Sequence, residues 1–244
     1  MKSFLSFTLV LLLANCSLAA DNAQPEEGFV SLFDGKTLDG WKVGENAEIF
    51  SVRDGTIVMD CPATNHNPAH LFYVGDVAKH DFKNFDLKVD VMTFPAANSG
   101  IYFHTKYQES GWPNFGIESQ VNNSHADWRR TASLWGIKNL AWGREMPGKD
   151  NKEEVIILAK PPVTDNVWYT QEVIYRDGHV VAKLDGKTMF EYDLPDAGVE
   201  HKLQSPANRT WLPRGTFALQ GHPPMPDHIS KTYFKNIRVK VLPD

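Results

Sequence analysis

The sequence predicts an all-β protein, a sandwich of two antiparallel sheets, and three observations carry that prediction. Apolar and polar residues alternate rather than recur at helical spacing. In "FDLKVDVM", Phe85, Leu87, Val89 and Val91 oppose Asp86, Lys88 and Asp90, and "NIRVKVL" sets Ile237, Val239 and Val241 against Arg238 and Lys240. Strand side chains point to opposite faces with a period of two, so each run has one face for a core and one for water. The turn chemistry agrees: Asp54-Gly55, Asp177-Gly178 and Asp185-Gly186 each separate two β-rich runs, and Asp-Gly favours the positive φ that tight hairpins need. Finally, no stretch carries a sustained helical stripe with caps; a turn or two of helix is expected near 73–80 and 161–166. Many strands and few helices give a sandwich or a barrel, and the sandwich is the preferred reading.

The chain opens MKSFLSFTLVLLLANCSLAAD, with one early positive charge at Lys2, an apolar run to Leu13, and small residues at Ser17 to Ala20. That is the layout of a secretory signal peptide over residues 1–20, too short and wrongly flanked to span a membrane. The protein is therefore expected to be exported, periplasmic or secreted. Cys16 raises a lipoprotein alternative, against which Asn15 stands, because a small residue is expected before a lipidated cysteine. Loss of the signal leaves Cys61 alone, so a core rather than a disulfide must hold the fold. Residues 21–27, DNAQPEE, form a polar lead-in. Residues 28–244 show no linker or repeat and read as a single domain of ordinary size. The net charge is −5 with no Lys/Arg cluster, which argues against nucleic acid and anionic membrane as partners.

From the lead-in onward the elements follow in order: strands up to Met92, then two runs whose polar faces are unusual, then an irregular segment from about Asn122 to Pro162. That segment holds Trp128, Trp135 and Trp142 and has the length of a binding loop. "WYTQEVIYRDGHVVAKLDGKTMFEY" reads as a three-stranded meander, and "TFALQGH" and "NIRVKVL" close the chain. Ordinary wet strand faces favour Lys, Thr and Glu. "GIYFHT" instead opposes Tyr102 and His104 to Ile101 and Phe103, "FGIESQV" opposes Glu118 and Gln120 to Phe115, Ile117 and Val121, and "TFALQGH" opposes Gln220 and His222 to Phe217 and Leu219. Such groups donate, accept and stack, as the hydroxyls of a sugar require. Were the three strands neighbours, Tyr102, Glu118 and His222 would line one polar trough.

Other site patterns are weak. His66 and His70 in "NHNPAH" are interrupted by Pro68, and "GHPPMPDH" lacks a ligand spacing, so no metal site is assigned. No G-x-S-x-G, Walker A or G-x-G-x-x-G motif occurs, and no cofactor is expected.

Several motifs, in order along the chain, resemble those of the bacterial 3-keto-disaccharide hydrolase family: "GFVSLFDGKTLDGWKV" (28–43), "NSGIYFHT" (98–105), "GIESQ" (116–120), "GTFALQGH" (215–222) and "FKNIRVKVL" (234–242). The resemblance implies a concanavalin A-like jelly roll of the lectin and glucanase type, a carbohydrate substrate, and cleavage of glycosides oxidised to a ketone at C3. The family's G-x-E-x-Q glutamate and amide fall on Glu118 and Gln120, and its L-Q-x-H pair on Gln220 and His222. Many relatives have Arg where this chain has His104, which puts a permanent cation there in doubt.

A C3 ketone acidifies the C2 hydrogen, so one base, one acid for the departing C1 oxygen and donors for the enolate suffice. Two carboxylates flanking the bond are not required, in contrast to most glycosidases. The expected set is Glu118 and His222 as acid and base in either order. Gln120, Gln220, Tyr102, Asn98 and His104 bind substrate, and Trp135 and Trp142 stack on the sugar. Two rivals stand beside this reading. One is a carbohydrate-binding module without turnover, which the fold equally suits. The other is a conventional glucanase, needing a second carboxylate within about 10 Å of Glu118; Glu109 and Asp127 are the nearest in sequence, both expected outside the strand. Oligomeric state does not follow from the sequence.

Overall fold

The computed structural model describes residues 26–151, 153–197 and 210–244. The signal-peptide segment and residues 21–25 of the lead-in lie outside these residues. The strands are β1 (Val30–Ser31), β2 (Trp41–Val43), β3 (Phe50–Arg53), β4 (Thr56–Cys61), β5 (Ala69–Tyr73), β6 (Phe85–Thr93), β7 (Ser99–Thr105) and β8 (Ile117–Val121). They continue as β9 (Lys138–Ala141), β10 (Glu154–Ile157), β11 (Tyr169–Arg176), β12 (His179–Leu184), β13 (Lys187–Asp193), β14 (Thr216–Gly221) and β15 (Ser230–Val241). One short 3-10 turn occurs at Ala47–Ile49. The helical turn expected near 73–80 is instead a tight left-handed turn at Val77–His80, with Ala78 and Lys79 at φ 49° and 52°, and the one near 161–166 is replaced by bends and turns.

One sheet runs β13-β12-β11-β6-β15-β4-β3, with β1 also pairing β15. The other runs β2-β5-β14-β7-β8, and both are antiparallel throughout. A small parallel pair, β9 with β10, flanks them. The three Asp-Gly pairs make the β3–β4, β11–β12 and β12–β13 hairpins, each with both residues at positive φ (Asp54 48°, Gly55 74°; Asp177 47°, Gly178 93°; Asp185 48°, Gly186 75°). That is the geometry that matches the twist of the flanking strands.

The faces behave as their residues dictate. Along β6, buried and half-buried residues alternate without exception, so the large sheet has one dry and one wet face. Phe85 of β6 crosses to Phe217 of β14 at 4.9 Å and Phe103 of β7 at 5.7 Å between ring centroids, and Phe82 stacks on Phe217 at 4.4 Å. Each ring so buried contributes roughly 1.5–3 kcal/mol, making this aromatic seam a principal tie between the sheets. In the smaller sheet β5, β7, β8 and β14 are buried on both faces. Its apolar side meets the core, and its polar side is roofed by the loops that follow β7 and β8.

His104 departs from the expected alternation. In the β14–β7 ladder Thr216 pairs with Thr105 and Ala218 with Tyr102, so Phe103 and His104 together oppose Phe217. Such a bulge reverses the phase of the strand. His104, at φ 53°, therefore turns into the core against Tyr175 at 4.2 Å and Phe85 at 5.7 Å, and its Nε2 donates to the Lys83 carbonyl at 3.0 Å. Burial pushes its imidazole down to about 4, so it sits there uncharged.

Candidate active site

The three unusual strands are neighbours: β14, β7 and β8 lie side by side. Ala218 pairs with Tyr102, and Tyr102 with Glu118, which brings the polar face of each into register. Above them opens a cavity of about 560 Å³, bordered by Asn98, Tyr102, Glu118, Gln120, Gln220 and His222, and also by Trp112, Asp127 and Trp135. Trp142 is placed elsewhere. It is buried to 2% exposure and lines a separate cleft beside Arg130, because its carbonyl anchors the Arg130 guanidinium at 3.2 Å. His104 is likewise away from the cavity, turned inward by the bulge.

Glu118 is the centre of the floor. The Tyr102 hydroxyl lies 2.9 Å from its Oε2, and Gln220 Nε2 donates to Oε1 at 3.1 Å. The Gln120 amide nitrogen lies 2.8 Å from both the Ser99 carbonyl and Glu118 Oε1 and donates to each, the orientation its neighbours require. Two amides on one oxygen and a hydroxyl on the other suit a neutral carboxyl as well as a carboxylate, since a phenol can accept as readily as donate. Burial pushes the Glu118 carboxyl up to about 8, the Tyr102 and Gln220 hydrogen bonds oppose that rise, and the Asp127 charge adds to it.

The position of Glu118 depends on Gly100. A Cβ built on Gly100 would stand 2.7 Å from Glu118 Cγ and 2.8 Å from Cδ, closer than carbon atoms pack. The glycine of "NSG" is thus the gap over which the glutamate folds. From beneath, Gln171 of β11 donates to Ser119 Oγ at 2.8 Å and to the Gln120 carbonyl at 3.1 Å. The outer edge of β8 is closed by the loop after it: Gln120 N to Ser133 O at 2.8 Å, Ala132 N to Gln120 O at 2.8 Å, and Trp135 N to Glu118 O at 3.0 Å. Those bonds cover an edge strand and set Trp135 at the cavity.

His222 follows β14 immediately. Its Nδ1 lies 2.6 Å from the Pro223 carbonyl, which can only accept, so Nδ1 carries the proton and Nε2 the lone pair. Burial lowers its pKa, against the Pro223 hydrogen bond and the Asp127 charge. A carboxyl driven up and an imidazole driven down share one cavity. Such opposed environments separate an acid from a base.

Sequence reasoning missed part of the site. Trp112, 47% exposed, stands at the rim with its ring 5.3 Å from His222 and 5.9 Å from His70, and His125 approaches His222 at 5.8 Å. Gln108 shapes the Trp112 loop by donating to the Ser110 and Trp112 carbonyls at 2.7 and 2.8 Å and accepting from Asn114 N at 2.8 Å. Asp127, expected outside the strand, is outside it but still lines the cavity; Glu109 is exposed and does not.

Comparison with known proteins bears on the chain as a whole. The sequence model of the 3-keto-alpha-glucoside-1,2-lyase-like domain matches residues 28–240. The chain belongs to this family. A 3-keto-disaccharide hydrolase of Bacteroides thetaiotaomicron is 27% identical over 88% of this chain and 79% of its own. Among solved structures, a candidate glycosyl hydrolase from Parabacteroides distasonis superposes with a TM-score of 0.63 at 23% identity, over 89% of this chain and 95% of that one. The VIP36 exoplasmic/lumenal domain, solved with Ca2+ and Man3GlcNAc, gives 0.50 at 12% identity over 89% of each chain. These likenesses show the fold, a lectin-like jelly roll, which this member of the lyase-like family shares. They leave the chemistry to the site.

Proposed function

We propose that the protein cleaves glycosides carrying a ketone at C3, by removal of the C2 proton, elimination of the C1 oxygen and addition of water. Membership of the lyase-like family and the hydrolase relative support the coarser statement, a glycoside-cleaving protein. The finer reading rests on one observation: a carboxyl raised to about 8 and a neutral Nδ1-protonated imidazole face one cavity. His222 Nε2 takes the C2 hydrogen as a proton, the C2–H electron pair becomes a C2–C3 double bond as the carbonyl pair moves onto the ketone oxygen, and the enolate is held by amide donors of the floor. As the enolate collapses, the C1–O bond breaks and Glu118 protonates the departing oxygen. Water then adds at C1 of the enone and gives a proton back to Glu118, while His222, whose proton exchanges with solvent before this step, protonates C2. The signal-like N-terminal sequence supports, as part of the same proposal, an activity outside the cytoplasm.

One observation favours a second reading. Asp127 borders the same cavity as Glu118, as a two-carboxylate glycosidase would require. Purified protein incubated with a 3-keto-glucoside and with the unoxidised glucoside separates the two. The proposal expects release of the alcohol from the keto compound alone and a loss of about 10²–10⁴-fold in Glu118→Gln, the range for a general acid. Equal turnover of both substrates contradicts it, and saturable binding without turnover of either would make the protein a lectin.

A further inference from the structure

We propose that Asp127 is a specificity-determining residue that receives the hydroxyls of a second sugar beyond the β8 edge. On this reading the protein prefers a 3-keto disaccharide to a 3-keto glycoside with a small leaving group. The inference rests on the reaction proposed above.

Asp127 sits in a loop, yet it is fixed as firmly as a strand residue. Asn122 Nδ2 donates to the Asp127 and Arg129 carbonyls at 2.7 and 2.9 Å, and Arg130 Nη1 donates to the His125 and Asp127 carbonyls at 2.7 and 3.0 Å. Its carboxylate takes Arg129 N at 2.9 Å and Nη1 at 3.1 Å on Oδ1, and Trp135 Nε1 at 2.9 Å on Oδ2. A carboxylate has about four acceptor sites. Oδ1 is filled by close donors, while the second donor on Oδ2 is Nη1 at a weak 3.4 Å. Oδ2 therefore retains capacity for a hydroxyl.

Trp135 supplies the matching apolar surface. The Arg129 guanidinium covers its ring at 4.3 Å and is itself clamped by Glu153, Nη2 at 2.6 Å and Nε at 2.9 Å. The ring that borders the cavity is thus held rigid, the condition for stacking on a sugar at low entropic cost. The floor of the cavity spans β14, β7 and β8, two strand spacings or roughly 10 Å. Trp112 lies on the β5 and β14 side, its ring against His70 and His222, and the Asp127–Trp135 pair is tied to the outer edge of β8. A sugar ring reacting at His222 and Glu118 leaves that second flank uncovered. Glu118, the acid for the departing oxygen, is the floor residue joined to it, through its own carbonyl and Trp135 N. The leaving sugar departs toward Asp127.

The test compares kcat/KM for a 3-keto disaccharide and for methyl 3-keto-glucoside, in the wild type and in Asp127→Asn. The wild type is expected to favour the disaccharide by about tenfold or more, one good hydrogen bond to a charge. In Asp127→Asn that preference should vanish through KM, the disaccharide losing about tenfold or more in kcat/KM beyond whatever methyl 3-keto-glucoside loses. A wild type without preference overturns the inference, whatever becomes of the variant, and so does an equal loss on both substrates. Turnover of neither substrate by the wild type overturns the reaction instead. Calorimetric binding of the unoxidised disaccharide and its monosaccharide then decides Asp127 alone: weaker disaccharide binding only in the variant supports it, and unchanged or equally weakened binding refutes it.

Discussion

A carboxyl group that holds its proton up to about pH 8 in the folded chain and releases it near 4.5 when unfolded binds more protons in the native state across that interval. Stability contributed by Glu118 is therefore complete below pH 4.5 and lost as pH rises toward 8, the reverse of a salt-bridged carboxylate. The sum is at most about 5 kcal/mol. Glu118→Gln mimics the neutral acid, with its oxygen under the two glutamines and its nitrogen toward Tyr102. The variant should melt several degrees above the wild type at pH 8 and close to it at pH 4.5; an unchanged difference at the two pH values would refute the raised carboxyl. Function shows the same residue from the other side. With Glu118 as acid and His222 as base, kcat/KM should fall above about pH 8 and fall again at a pH below 6.5, where His222 takes a proton. A rate that climbs through pH 8 would instead make Glu118 the base.

At the scale of elements, β7 and β8 form one device. Tyr102 and Glu118 are a cross-strand pair, and Gly100, two residues before Tyr102, leaves the space into which the glutamate folds. Gly100→Ala should displace the Glu118 side chain and cost at least about tenfold in kcat, with the sheet intact, as overpacking a tight contact costs about 1–3 kcal/mol. A wild-type kcat in that variant would show that the glutamate tolerates another position. Much of this device is legible in the sequence, because strand period alone puts Tyr102, Glu118, Gln120 and Gln220 on polar faces. Where period fails, a local event intervenes. The bulge at Phe103–His104 moves His104 to the core, and no residue in "GIYFHT" announces it. Trp112 and Asp127 reach the cavity from irregular loops, and their places are fixed by Gln108 and Asn122, whose amide side chains span several carbonyls. Such long-range loop closure has no periodic signature. Trp142 looks like Trp135 in sequence, but its surroundings bury it.

For the whole molecule, buried neutral imidazoles set the acid side of stability, and two of them lie apart from the acid–base pair. Burial lowers His104 to about 4 and His70 to about 3, with His222 adding to the latter. Both ionise near 6.5 when unfolded, so their contribution is complete above pH 6.5 and lost as pH falls toward 4, by about 3 kcal/mol each at pH 4. His70 stacks edge-on to Tyr102 at 5.4 Å and its Nε2 has no hydrogen-bond partner. His70→Phe should therefore keep the fold and flatten the fall in melting temperature between pH 6.5 and 4; an unaltered slope would contradict the buried neutral ring. The sandwich itself follows from alternation and Asp-Gly turns, and its polar sheet face becomes a cavity because loops after β7 and β8 roof it. Elimination at C2 is the central claim about that cavity, and turnover of a 3-keto disaccharide in deuterated water tests it most directly. The released 3-keto sugar should carry deuterium at C2 well in excess of the same free 3-keto sugar held in that buffer without protein, the measure of spontaneous exchange. Rapid release with no excess deuterium at C2 would contradict the account.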